Sequence, residues 1–258
     1  MINPFRVFFV GAIGVAILLL AGCGRVKEAA KMAKMTPPFT YESLGVRNSC
    51  FVESVHFYDV YRANNPEGGG GWVRVLQWGN EDGDYQISSG HVVAIYETEG
   101  KLCGYDVNLG FWPVAVPVGK QADLSEVGPE VFARYPQFRP VFARYRRDFE
   151  QEVPLKRPAF LFKNENSDVR DASRVASELG RFRPASAISF SYTDKGVGHE
   201  SAAAVFVFEG RLCVYLPQGG THVSSELVRV VHGFGPASAV IKKFYPDATG
   251  FSLLCGGF

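Results

Sequence analysis

Three side chains with complementary chemistry arrive in order along residues 48–110: a thiol at Cys50, an imidazole at His91 and a carboxylate at Asp106. Asn48-Ser49-Cys50 opens a helical pattern in which Val52, Val55, His56 and Tyr58 recur on one side, with Glu53 in the first turn and Asn64-Asn65-Pro66 at the end. A free thiol titrates near 8.5, and a helix N-terminus together with an imidazolium lowers that value to about 3.5–7.5, which makes the sulfur a nucleophile near neutral pH. His91 heads a strand pattern and Asp106 closes the next one, 15 residues on. A tight turn joins the two strands, so the carboxylate can hold the tautomer of the ring. The set predicts a cysteine nucleophile with its base and its orienting acid. Each residue also has a purely structural reading: a small buried hydrophobe for Cys50, a strand-start histidine for His91 and a turn cap for Asp106.

The elements that must position these groups can be read around them. Trp72 to Trp78 alternates as a strand, Gly79 to Asp84 turns, His91 to Tyr96 is the next strand, and Lys101 to Val107 is its hairpin partner across Glu97 to Gly100. Leu124 to Tyr145 reads as a short helical or turn region. It carries a local duplication, Val131-Phe-Ala-Arg-Tyr recurring ten residues later from Val141.

A longer repeat frames the whole chain. Glu99-Gly100-Lys101-Leu102-Cys103 matches Glu209-Gly210-Arg211-Leu212-Cys213, with Tyr105 and Tyr215 at the same spacing beyond. Gly128-Pro129 to Tyr135-Pro136 matches Gly235-Pro236 to Tyr245-Pro246, and Asp171 to Leu179 sits where the Cys50 helix sits in the first copy. Two related structural units are predicted. In the second, Ser201 stands for His91 and Leu216 for Asp106, Ser173 is the candidate nearest to a Cys50 equivalent, and His199 has no thiol or acid to work with. The first copy is the place for chemistry.

A Cys at a helix start, Gly90-His91-Val-Val-Ala-Ile at a strand head and Tyr105-Asp106-Val-Asn-Leu-Gly at the end of the next strand resemble the papain-like superfamily. The closest branches are the bacteriocin-processing-peptidase and transglutaminase-like ones. The resemblance covers about 65 residues and implies a thiol-dependent amide hydrolase or acyltransferase with Cys50 as nucleophile, His91 as base and Asp106 as orienter. Leu44 stands where those families carry a Gln, so Asn48 or a backbone amide would complete the oxyanion hole. The rival expectation is a non-catalytic envelope lipoprotein that serves as a structural or binding module.

Arg6, the apolar run Val7 to Leu20 and Leu20-Ala21-Gly22-Cys23 resemble a lipoprotein signal, which predicts cleavage before Cys23, lipidation of that residue and a membrane-tethered place in a bacterial cell envelope. The run is shorter than the ~20 apolar residues of a spanning helix. The organisation expected is therefore a signal peptide over 1–22, a lipidated tether over 23–43, a reactive unit over 44–150, a linker over 151–167 and a degenerate copy over 168–258. A net charge of +1 with 21% charged residues favours no nucleic-acid partner, leaving the membrane and a peptide or protein substrate. No cofactor is implied, and no Cys or His pair has metal-ligand spacing. His56, His222 and His232 read as structural or surface residues. Arg134, Arg139, Arg144, Arg146, Arg147, Lys156 and Arg157 read as a solvated basic stretch. Strand alternation turns Cys103 away from Asp106, which disfavours a Cys50–Cys103 bridge; Cys103 and Cys213 are either buried thiols or a pair across the copies. The fold class expected is α+β, in a papain-like arrangement of antiparallel strands packed on helices, as two duplicated halves.

Overall fold

The computed structural model describes residues 35–65, 71–79, 90–138, 140–146, 166–228 and 235–256. The expected signal, Cys23, most of the tether and of the linker, Arg139, Arg147, Lys156, Arg157 and His232 lie outside them.

The chain is α+β and its halves repeat one topology. The first half runs α1 (Cys50–Asn64), β1 (Val73–Gly79), β2 (Gly90–Thr98), β3 (Lys101–Asp106), β4 (Gly110–Pro113), α2 (Leu124–Phe132) and β5 (Phe142–Arg146). The second runs α3 (Ser167–Leu179), β6 (Ala185–Asp194), β7 (Val197–Phe208), β8 (Arg211–Leu216), β9 (Gly220–Leu227), α4 (Gly235–Ile241) and β10 (Thr249–Gly256). Each half builds an antiparallel five-stranded sheet, ordered β4-β3-β2-β1-β5 in one and β9-β8-β7-β6-β10 in the other. The matching hairpins have matching registers, with Tyr96 opposite Cys103 and Phe206 opposite Cys213. Their turns match as well: Glu99 and Gly100 have φ of 50° and 68°, and Glu209 and Gly210 have φ of 54° and 68°. Two consecutive left-handed residues are what a two-residue hairpin with the right twist requires, which is why both turns read Glu-Gly.

Strand alternation sorts side chains into layers. Val92, Ala94 and Tyr96 enter a core shared by α1, α3 and both sheets, while Val93 and Ile95 face Val127 and Val131 of α2. In the second half Ala202, Ala204 and Phe206 enter the shared core, and Ala203, Val205 and Val207 face Ala237 and Ile241 of α4. Helix α1 is packed on sheet one and also touches sheet two, through Phe51 on Phe206 and Tyr58 on Phe208. Residues Phe51 to Asp59 and Tyr61 of α1 are accordingly buried, so the helix has a buried circumference rather than one apolar stripe.

Buried charges tie the halves together. Asp59 of α1 takes a two-pronged bond from Arg183, which also donates to the Val207 carbonyl at 2.7 Å. Arg146 of β5 reaches Glu209 at 2.7 Å and lies over the Phe51 ring.

Four expectations change here. Residues 35–43 are not tether: Met35 is buried and accepts from the Tyr96 hydroxyl, and Phe39 and Tyr41 pack against the shared core. Helix α3 begins at Ser167 with Asn166 as its cap, so Ser173 is a mid-helix residue and not a terminal one. The two Val-Phe-Ala-Arg-Tyr segments differ in structure: the first ends α2 and enters a turn, the second is edge strand β5, because pairing with β1 overrides local preference. Arg146 is buried in an interface and not solvated, while Arg144 bonds Gln77 and Arg134 lies over Trp112.

A shared core predicts one unfolding transition. Urea denaturation followed by far-UV circular dichroism and by tryptophan fluorescence, whose three Trp all lie in the first half, should give coincident curves. Asp59→Ala leaves Arg183 charged and buried, and should lower stability by about 3–5 kcal/mol. Two separated transitions would refute the single cooperative unit.

Candidate functional site

The sheet and helix ends converge at the head of β2. The His91 ring, 7% exposed, sits in an aromatic box: Trp78 edge-on at 5.3 Å, Tyr135 at 4.6 Å and Phe138 stacked at 5.4 Å with planes 4° apart. Its Nε2 is 2.5 Å from Asp106 Oδ2. Cys50, the first residue of α1, lines the same cleft as His91, where its thiol favours the charged ring. Cys50 is partly exposed and Asp106 is buried, so the triad has one reachable member and two enclosed ones.

The electrostatics follow from this packing. Burial is the largest single influence on His91 and disfavours its charge, but the hydrogen bonds and charges of Asp106 and Cys50 together outweigh it and take the imidazole up from 6.5 to about 9. Burial likewise pushes the Asp106 carboxyl up, and the His91 bond and charge with the amides of Asn108 and Leu109 overcome that and hold it below its usual range. Those amides donate to Asp106 Oδ1 at 2.7 and 3.1 Å. One carboxylate oxygen of Asp106 therefore caps the turn and the other contacts the His91 ring.

Asn48 has φ of 47° and its Nδ2 donates to the Pro217 carbonyl at 2.8 Å. Its amide is thus engaged with the second half. No side chain caps α1 at Ser49, so the first-turn N–H groups beside Cys50 are the donors that the helix itself offers. Gly90 lets the strands close behind His91, since a Cβ there would lie 2.1 Å from the Trp78 carbonyl oxygen.

A cleft of about 730 Å³ opens over Cys50 and His91. Its walls come from both halves, with Asn108 and Phe138 on one side and Gln218 to Thr221 on the other. Among the described residues no Asp or Glu lines it. The four described cysteines are all free, and among the described residues no group of three or more His, Cys, Asp and Glu could hold a metal ion.

The sequence analysis missed Tyr135 and Phe138 as the box around His91, and it missed the part that the second half plays. The matched Tyr-Pro pairs following α2 and α4 mark Tyr135, but nothing in the spacing places it on His91. In the second half the corresponding ground is occupied by Asp168, whose Oδ2 accepts from Ser201 Oγ at 2.7 Å. Ser201 is where the repeat put the His91 equivalent.

No family model, no curated protein and no solved structure matches this chain.

Sign follows from the direction of each shift. The raised imidazole contributes stability that is full below about 6.5 and is lost as pH rises through about 9. The depressed carboxyl contributes stability that is present above its ordinary range near 3.9 and lost as pH falls through its lower folded value. The gap in unfolding free energy between the wild type and Asp106→Asn should therefore be widest near pH 5–6 and close as pH climbs toward 9. In the Asp106→Asn protein the His91 ring, followed by NMR, should titrate well below its wild-type value, and an unchanged titration would disprove the coupling.

Proposed function

We propose that the protein is a thiol-dependent amide hydrolase or acyltransferase. The Cys50 proton rests on the His91 imidazole as a thiolate–imidazolium pair, and Cys50 Sγ attacks the substrate carbonyl carbon, giving a tetrahedral oxyanion that faces the first-turn N–H groups of α1. His91 returns the proton to the leaving amine, the C–N bond breaks and a thioester remains on Cys50. Water or an acceptor amine then attacks the thioester, giving its proton to His91, and the thiol is restored. Asp106 holds the ring and offsets its charge throughout.

The observation that carries this reading is the His91–Asp106 bond in a cleft that Cys50 also lines, with the imidazole favoured in its charged form. An imidazolium against a sulfur at a helix N-terminus is the setting that favours a thiolate. The order of a helix-start Cys, a strand-head His and an Asp on the neighbouring strand supports the papain-like resemblance as a proposal about ancestry. The oxyanion role expected of Asn48 passes to the backbone, because its side chain is engaged with Pro217.

Alkylation tests it without a known substrate. Iodoacetamide at pH 6.5 should label Cys50 far faster than Cys103, which burial pushes up to about 11, or Cys255, which burial also raises. His91→Ala should remove that advantage, and Asp106→Ala should weaken it by less. Equal labelling of Cys50 with and without His91 would return the protein to the rival reading, a binding module.

We also propose that the chain acts at a bacterial envelope through lipid on Cys23. No helix among the described residues is long and apolar enough to cross a membrane. Cys23→Ser should shift the protein from the membrane to the soluble fraction in a cell that processes lipoproteins. Retention of the variant in washed membranes would count against a lipid anchor.

A further inference from the structure

The second half lacks the reactive set, yet the remains of its own site are spent on the loop that carries the nucleophile. Two consecutive residues before Ser49, Arg47 and Asn48, are each fastened to the second half. Arg47 donates to Asp168 and to Asp171, both at 2.8 Å, and its carbonyl accepts from the Tyr215 hydroxyl at 2.5 Å. Asn48 holds the Pro217 carbonyl at 2.8 Å and keeps a left-handed backbone, and Ser49 then starts α1. Asp168 is the hub. It lies in the first turn of α3 and is 7% exposed, and it also accepts from Ser201 at 2.7 Å and from Gln218 at 3.0 Å.

Its place in the repeat gives this hub its meaning. Ser201 occupies the strand position that His91 occupies in the first half, and Asp168, the second residue of α3, reaches it from the helix start as Cys50 lies at the helix start beside His91. A bond that replaces the reactive pair now anchors the neighbouring active loop. Gln218, whose amide reaches Asp168, stands in the β8–β9 turn as Asn108 stands in the β3–β4 turn, and both line the cleft.

We propose that Asp168 is a positioning residue for the nucleophile: through Arg47 it sets the backbone of residues 47–49 and so the approach of Cys50 Sγ to His91. This inference rests on the thiol-nucleophile reading above. The physical ground is that a buried carboxylate holding the buried Ser201 hydroxyl is a fixed point, whereas a loop containing a left-handed Asn has no regular structure to hold it. An error of about 1 Å in a reacting pair costs up to about a hundredfold in rate.

The test is the pH profile of Cys50 alkylation by iodoacetamide in the full chain, with site-specific readout by mass spectrometry. In the wild type labelling should remain fast at pH 6.5. In Asp168→Asn it should fall about tenfold or more at that pH and rise with pH as an ordinary thiol does. Arg47→Gln should reproduce this profile, and the double variant should be no worse than either single one, because the two act as one unit. Lys120→Gln, an exposed cation paired with Glu126 in the first half, should leave the profile unchanged. Arg47, with 40% of its side chain exposed, is the variant that decides if Asp168→Asn fails to fold. Folded Asp168→Asn or Arg47→Gln protein with the wild-type profile overturns the inference. If His91→Ala also leaves the wild-type profile intact, the nucleophile reading has failed; if His91→Ala slows labelling and the positioning variants do not, only this inference has failed.

Discussion

The structure depends on one constraint: α1 is buried between two sheets that belong to different halves. Its side chains meet sheet one through the shared core and sheet two through Phe51 and Tyr58. A helix held on nearly all sides cannot slide or rotate without opening the core, and close-packed interiors resist that. Its N-terminal residue therefore has a fixed address. The helix so held ends beside a ring that is itself wedged by Trp78, Tyr135 and Phe138, which leaves the loop before Ser49 as the part that sets the final approach of Cys50.

Such a core must also accommodate polar groups, and it does so in closed sets. Glu53, one turn below Cys50, is buried, and burial raises its carboxyl although the Leu44 amide and the Tyr105 and Tyr41 hydroxyls donate to it. These contacts draw residues 35–44 against α1, which is why the segment read as tether belongs to the fold. Arg183 and Asp59, and Arg146 and Glu209, cross between the halves. Buried pairs of this kind add little net stability, but breaking one is costly, so they define how the halves meet more than how strongly.

Much of this was legible because strand and turn chemistry is local. The Glu-Gly turns, the alternation in residues 91–96 and the spacing of the repeat placed both hairpins and led to the His91–Asp106 contact, and the 3.6-residue pattern placed α1. What was not legible was set by contacts between distant segments. Two identical pentapeptides became a helix end and a strand, according to what each was paired with. Arg146 looked like one more surface cation until Glu209 and Phe51 enclosed it. Asn48 looked like an oxyanion donor until Pro217, far along the chain, took its amide. The His91 box needs Tyr135 and Phe138 to fold back over β2, which no periodicity encodes.

The two halves give a comparison that a single site could not. Helix α3 is capped: Asn166 Oδ1 accepts from the Asp168 amide at 2.9 Å and the Val169 amide at 3.4 Å. Helix α1 has no side-chain cap at Ser49. A cap of this type is worth about 1 kcal/mol, so the first half forgoes a stabilising contact that the same fold accepts in the second. The difference falls on the helix that carries the cysteine, where free N–H groups and the positive end of the helix dipole would face a developing oxyanion. In the second half Asp168 fills the same turn, where its negative charge suits that dipole end. One topology thus resolves the helix terminus in two ways, closed by Asn166 in the second half and left open at Ser49 in the first. An open terminus is what the proposed thiol chemistry requires, so the contrast supports that proposal more than any single distance does.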